Sequence, residues 1–328
     1  MKRVLGRTAE SLLPVGLGCM GLTGVYNAPV TQDAATKLIH EAVDLGVEHC
    51  DTAEMYGLTE NESLLGEAFR GKRDKVFIAT KWGPQFDPAT GRRLGVDGSA
   101  ENCRRSVEGS LRRLRTDRID LYYLHRVDPK RPIEESVGAM AELVKEGKIR
   151  AIGLSEPSAE TIRKAAKIAP VAAVQSEYSI FTRDVENGPL NAMKEVGASL
   201  VAYAPVGRGI LTGALSKENK PKGEDFRATT VPRFSDENFT TNLKLVEEIK
   251  AIAGETNSKP AQVALAWVLS RAPNIHVIPG TTKIENLRTN VGAVNVVLSP
   301  GQVRRLDELG VRVAGPRYTP VAMSAVNL

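Results

Sequence analysis

The chain has 328 residues, 42% hydrophobic and 25% charged, with 44 Lys and Arg against 39 Asp and Glu. This composition excludes a disordered chain and a membrane-embedded one. A formal net charge of +5 with no basic block interleaved with aromatics gives nucleic-acid binding no support.

Cys19, Cys50 and Cys103 form no C-x-x-C pair and leave one over, so neither a disulfide framework nor a thiolate metal site is indicated. A cytoplasmic protein is expected. The residues after Met1-Lys2-Arg3 are too polar for a signal peptide. The longest apolar runs, Leu200 to Pro205 and Val263 to Leu269, fall short of the roughly 18 residues a membrane span needs.

In chain order, short β-rich apolar runs alternate with longer stretches of helical spacing. After a Gly-rich opening over Leu12 to Leu22 come a helix over Thr31 to Asp44, a strand over Val47 to Asp51 and a helix over Glu60 to Arg70. A strand over Lys75 to Lys81, a helix over Ser99 to Leu114 and a strand over Ile119 to His125 follow. The pattern continues with helix Ile133 to Glu146, strand Ile149 to Ser155, helix Ala159 to Ile168, strand Ala172 to Ser176, helix Pro189 to Val196 and strand Ser199 to Ala204. It ends with helices Phe239 to Ala253 and Pro260 to Arg271, strand Ile275 to Pro279 and helix Ile284 to Val291. The irregular stretch Val206 to Glu237 is longer than a normal connection, which marks it as disordered or functional.

Strands separated by helices call for parallel pairing, and eight such units predict a closed (β/α)8 TIM barrel forming one domain over residues 1–328. The alternative is an open doubly wound sheet with a glycine-rich phosphate turn. Gly16 to Gly21 matches G-x-G-x-x-G, but Gly24 and Pro29, a few residues later, cannot open the required helix.

Polar residues that are costly to bury recur at the predicted strand ends: Asp51, Lys81, His125, Ser155, Gln175 and Tyr203. In a barrel these ends converge on one mouth. Singly, each has a plain structural explanation as a cap, a core histidine or a snorkelling lysine. Together, Asp51, Tyr56, Lys81 and His125 supply an acid, a phenol, an ammonium and an imidazole suited to protonating a carbonyl oxygen. Lys81 is expected to lower the phenol's pKa, Asp51 to balance Lys81, and His125 to polarise the carbonyl.

In order, Asp51-Thr52-Ala53-Glu54-Met55-Tyr56-Gly57, Lys81-Trp82-Gly83 and His125 resemble the tetrad of the aldo-keto reductase superfamily. The resemblance extends to Gly153 to Glu156, Val174 to Ser179, Tyr203 to Gly209 and Ile278 to Asn290. It is nearest to a short-loop branch of perakine-reductase-like and bacterial enzymes. It implies a floor hairpin from Lys2 to Leu5 and Leu12 to Pro14, with Val15 to Gly18 as the first barrel strand. It also implies NADPH lying across the mouth, with NADH as a weaker alternative.

Carried over residue by residue, Tyr203 resembles the ring that stacks on nicotinamide, and Ser155, Glu156 and Gln175 stand at the carboxamide positions. Glu156 replaces the usual asparagine. Pro205, Gly207, Gly209, Leu211 and Gly213 resemble the loop over the pyrophosphate. Gly280, Thr281 and Lys283 resemble the 2′-phosphate segment, with Asn290 at the adenine and Asn286 in place of the usual arginine. Lys283, with Arg288, must then supply the positive charge. Trp82, Met20 and Gly21, together with Arg317 and Tyr318, are expected to wall the substrate pocket.

The implied activity is NADPH-dependent reduction of aldehydes and ketones to alcohols, with Tyr56 as proton donor and a small-molecule carbonyl compound as partner. Homo-oligomerisation is left open. Channel β-subunits share this fold, coenzyme and tetrad, so a coenzyme-sensing regulatory subunit is the alternative; nothing here resembles their N-terminal extension. A metal-dependent barrel hydrolase is disfavoured, since His40, His49, His125 and His276 form no H-x-H pair.

Overall fold

The structure, a computed structural model, describes residues 2–26, 28–87 and 89–327. Twelve strands occur among them, eight in one parallel sheet. A floor hairpin pairs β1 (Arg3–Val4) with β2 (Ser11–Leu12). The sheet runs in the order β3 (Leu17–Gly18), β4 (His49–Asp51), β5 (Phe77–Trp82), β8 (Ile119–Leu124), β9 (Ile149–Ser155), β10 (Val171–Glu177), β11 (Ser199–Tyr203) and β12 (Ile275–Val277). Parallel bridges Val15–Val277 and Gly18–Gly280 join its two ends, so the barrel closes. At that seam the backbones must approach closely. A Cβ on Gly18 would lie 2.6 Å from the Ile278 carbonyl oxygen, which only glycine avoids.

Helices α1 (Gln32–Asp44), α2 (Glu60–Ala68), α3 (Ala100–Leu114), α4 (Ile133–Lys145), α5 (Ala159–Ile168) and α6 (Pro189–Val196) return the chain between strands. Thr31 and Ser99, read from sequence as helical, are N-caps, and their hydroxyls accept from Ala34 N and Asn102 N. Short α7 (Phe226–Thr230) lies within the long loop after β11. Then come α8 (Asp236–Glu255), α9 (Pro260–Ser270), α10 (Ile284–Val291), α11 (Pro300–Gly310) and α12 (Pro320–Met323).

Extra helices and loops near the C-terminus were expected from the sequence without bounds; α11 is one of them, and Ser299 and Gln302 form a full capping box at its start. Sequence reading missed the hairpin of β6 (Pro84–Phe86) and β7 (Arg93–Val96), which rises from the end of β5.

Period-two alternation divides the core. Leu5 and Leu12 of the floor hairpin pack with Phe77, Ala79, Leu121, Tyr123, Ala173 and Val201 inside the barrel. The opposite strand faces pack against the helices. Arg3 fastens the hairpin by donating to the carbonyls of Leu269 and Ala272 around the end of α9 and of Ile275 at the start of β12. No described helix is long and apolar enough to cross a membrane.

Inside the barrel, His49 and His276 are 1% and 0% exposed, and the ring nitrogens of His49 find no hydrogen-bond partner among the described residues. Burial, then the charge of Lys81, pulls His49 down to about 3. Burial, then His49, pulls His276 down to about 4. An unfolded histidine takes its proton near pH 6.5. As pH falls below that value the unfolded chain therefore binds protons that the folded one refuses, and stability drops until pH passes below the folded values. We expect unfolding midpoints in urea to fall steadily from pH 6.5 to 4, with His276→Gln flattening the slope. A His276→Gln slope equal to the parent's would exclude the histidine as the cause.

Candidate active site

The inward alternation brings Asp51 on β4, Lys81 on β5, His125 just past β8, Ser155 on β9, Gln175 on β10 and Tyr203 on β11 to one mouth. Lys81 is fully buried and forms an ion pair with Asp51 Oδ1. It also donates to the Thr52 carbonyl at 2.7 Å and approaches the Tyr56 hydroxyl at 3.4 Å. Asp51 Oδ2 accepts from Gln175 Nε2 at 2.7 Å. The Tyr56 and His125 rings meet edge to face, 5.8 Å between centroids.

Burial weighs against the Lys81 charge, but Asp51 and Tyr56 outweigh it and hold the ammonium above its ordinary value. Burial raises the Asp51 carboxyl, opposed by Lys81 and Gln175. Burial also raises the Tyr56 phenol, with Lys81 acting against it. The expected net lowering of the phenol is thus corrected: desolvation outweighs the ammonium, and the hydroxyl keeps its proton. His125 is held well below its ordinary value by burial, then by Arg126 and Lys81, so it is a neutral imidazole.

A second layer fixes these groups. Asn61 of α2 accepts from Thr52 Oγ1 at 2.6 Å and donates to Cys19 O and Thr23 Oγ1. Buried Glu62 accepts from Thr80 Oγ1 and Arg113 Nε. Directly after Tyr56 the backbone is left-handed at Gly57, Leu58 and Thr59, and a Cβ on Gly57 would lie 2.7 Å from Thr23 Cβ. Such strain persists where surrounding structure enforces it.

Other expected residues fall differently. Trp82 does not wall the pocket. It follows inward-facing Lys81, so alternation turns it outward, where it is 1% exposed and stacks on Tyr122 at 6.3 Å. Met20 sits partly buried in a short turn past β3, at the mouth.

Nor is the Glu156 side chain free for a carboxamide. Its oxygens accept from Arg317 Nη1 and Nη2 at 3.1 and 2.8 Å and from the Glu177 amide at 2.9 Å. This buried pair ties the C-terminal segment to β9, and Glu156 O also accepts from Asn327 N. Arg317→Met leaves the Glu156 charge buried without its partner, so we expect a loss of about 3–5 kcal/mol. The expected readout is a lower urea midpoint, with Glu156→Gln added in the same chain recovering most of it. A midpoint unchanged by Arg317→Met would rule out the tether.

The loop after β11 places Pro205 and Leu211 in buried positions, Leu211 with its side chain in the outer core. Gly207, Gly209 and Gly213 all have positive φ. Sequence reasoning missed Arg208. It is 8% exposed and donates to Glu177 Oε2 and Tyr26 OH at 2.8 Å and to Tyr318 OH. Tyr318 in turn bonds the Tyr203 hydroxyl at 2.9 Å. An acid at the end of β10 and an arginine between two glycines were the available signals.

Gly280 joins the barrel seam and Thr281 Oγ1 accepts from the Lys283 amide. Lys283, at the start of α10, has no acidic partner among the described residues, whereas Arg288 is committed to Glu41 at 2.8 Å. Asn290 is buried and Asn286 exposed on α10.

Residues 14–311 match the Aldo/keto reductase family. The chain is 42% identical over 325 residues to the aldo-keto reductase yakc [NADP(+)] of Schizosaccharomyces pombe, covering 97% of this chain and 94% of that one. It is 43% identical to probable aldo-keto reductase 1 of Glycine max, covering 96% and 90%. Among solved structures it superposes on the glycerol dehydrogenase AKR11B4 from Gluconobacter oxydans with a TM-score of 0.88 at 28% identity, covering 97% and 98%. It superposes on the thermostable aldo-keto reductase Tm1743 at 0.75 and 31% identity, covering 94% and 100%. The barrel and its mouth thus define an oxidoreductase of carbonyl and alcohol groups. The chain belongs to the aldo/keto reductase family.

Proposed function

We propose that this protein, one barrel domain over residues 1–328, reduces aldehydes or ketones to alcohols with NADPH, Tyr56 being the proton donor. The observation that carries the reading is the Lys81 ammonium, buried between Asp51 and the Tyr56 hydroxyl, with neutral His125 facing the same space.

The donors present suit a nicotinamide coenzyme. Ser155 Oγ accepts from Arg126 and keeps its own hydrogen to give, while Gln175 spends Nε2 on Asp51 and keeps Oε1 to accept. At Gly207, where φ is +58°, a Cβ would press on the buried Ile210 and Leu211 at 3.0 Å, so glycine lets this turn of the loop form. Tyr203 offers its ring. Lys283, which has no acidic partner among the described residues, is at the position we assign to the 2′-phosphate. When bound, the reduced coenzyme supplies the hydride.

The chain's own residues do the rest. His125 donates a hydrogen bond to the carbonyl oxygen and orients it. Tyr56 gives that oxygen its proton, and Lys81 stabilises the phenolate left behind. Asp51 holds Lys81 in place.

The test is oxidation of NADPH, and separately of NADH, by purified protein against aldehydes, dicarbonyls and ketones. Binding of coenzyme without reduction of any of them would count against the enzyme reading and favour the regulatory one. Lys283→Ala is expected to raise the KM for NADPH about tenfold and leave that for NADH within a factor of two, in line with loss of one charge-assisted contact. Equal changes for both coenzymes would remove Lys283 from the 2′-phosphate.

A further inference from the structure

Among the described residues, the mouth holds two cations, Arg126 and Arg93, that neither the mechanism nor an ion pair uses. Arg126, directly after His125, is partly buried, and its Nη1 donates to His125 O at 2.7 Å and to Ser155 Oγ at 3.1 Å. These bonds fix the guanidinium across the gap between the ends of β8 and β9. It makes no ion pair among the described residues, and neither does Arg93 on β7, in the hairpin that rises beside it.

The acids of the mouth are all engaged elsewhere. Asp51 holds Lys81, Glu156 holds Arg317, and Glu177 holds Arg208. The charge of Arg126 is felt by Tyr203, Glu156, Tyr318 and Tyr56, but Glu156 is already paired with Arg317, and desolvation and Arg126 both weigh against the charge of Arg93. A partly buried guanidinium whose neighbouring carboxylate is spent on another arginine keeps its planar fork free to match an oxyanion.

We propose that Arg126, assisted by Arg93, determines specificity at this site and selects carbonyl substrates that also carry an oxyanion group, a carboxylate or a phosphate. The inference rests on the reductase reading above. One guanidinium nitrogen is spent on Ser155 and the His125 carbonyl, so the others bind the anion and set the substrate carbonyl beneath Tyr56 and His125. Arg93 on the exposed hairpin attracts the anion from solvent.

The experiment measures kcat/KM at low and moderate salt with two pairs of aldehydes. One pair is 4-carboxybenzaldehyde and its neutral methyl ester; the other is glyceraldehyde 3-phosphate and glyceraldehyde. At low salt the parent protein is expected to prefer the anion of at least one pair by about tenfold or more, the range of a charged hydrogen bond. The pair that shows it tells carboxylate from phosphate. The preference shrinks with added salt. Arg126→Gln brings the ratio to about one, Arg126→Lys keeps part of it, and Arg93→Gln lowers it less.

Equal rates on both members of each pair in the parent protein overturn the inference while leaving the reductase reading intact. So does an Arg126→Gln effect that falls equally on the anion and its neutral partner, which a merely structural role would give. A rise in the KM for NADPH as large as that for the anionic aldehyde would assign Arg126 to the coenzyme and also overturn it. Reduction of none of the four, nor of any other carbonyl compound, removes the reductase reading and the inference with it.

Discussion

Tyr56→Phe is expected to lower kcat for carbonyl reduction by roughly 10²–10⁴-fold, the usual weight of a positioned general acid, while the affinity for NADPH stays within a factor of two. The substitution removes one oxygen at the partly buried mouth and leaves the ring's edge contact with His125 in place. The fold has no reason to change. Because burial keeps the phenol above its ordinary value, the hydroxyl is a loaded donor at neutral pH, and its loss falls on the chemical step. Single-turnover rates and coenzyme fluorescence titration separate the two quantities. Turnover retained within tenfold of the parent's would show that the proton comes from elsewhere.

Lys81→Met acts on both rate and stability. Methionine has nearly the volume of lysine but no charge. Tyr56 then loses the ammonium that favours its phenolate, and kcat should fall by roughly 10²-fold or more. Asp51 is left 3% exposed with Gln175 as its remaining side-chain donor, and an uncompensated buried carboxylate costs about 3–5 kcal/mol. Adding Asp51→Asn removes that charge. The double variant should regain most of the stability and none of the rate, whereas recovery of both would mean that Lys81 acts only as a structural partner of Asp51.

Much of the barrel was legible because strand and helix periods differ and the segments are long. Strand Ile149–Ser155 and helices Ala159–Ile168, Pro189–Val196 and Ile284–Val291 have the same bounds in sequence and structure. Boundaries slipped where a capping hydroxyl looked helical, as at Thr31 and Ser99. The mouth was legible at Asp51, Lys81, His125, Ser155, Gln175 and Tyr203, since polar residues closing apolar strands are expensive unless they meet one another.

What escaped were consequences of pairing across long sequence separations. Glu156 and Arg317 are 161 residues apart, and nothing local marks them as partners. Trp82 was misplaced for a different reason. The same alternation that aims Lys81 inward turns the next residue outward, so the rule was available in the sequence and was overridden by likeness of motif. The net direction at Tyr56 depended on how far burial outweighs Lys81, which only coordinates show.

The floor hairpin divides the molecule by purpose. Leu5 and Leu12 seal the end of the barrel opposite the mouth, and Arg3 and Gly6 fasten them to the end of α9 and to Ser199. None of these residues approaches Tyr56. For laboratory evolution, the two ends are therefore separate dials. Tighter packing or a stiffer turn in the hairpin can raise heat tolerance without taxing turnover, because the usual conflict arises where one residue must serve rigidity and chemistry together. The loops after β5 and β11 can then be varied for new substrates on a scaffold whose reserve of stability was added at the far end.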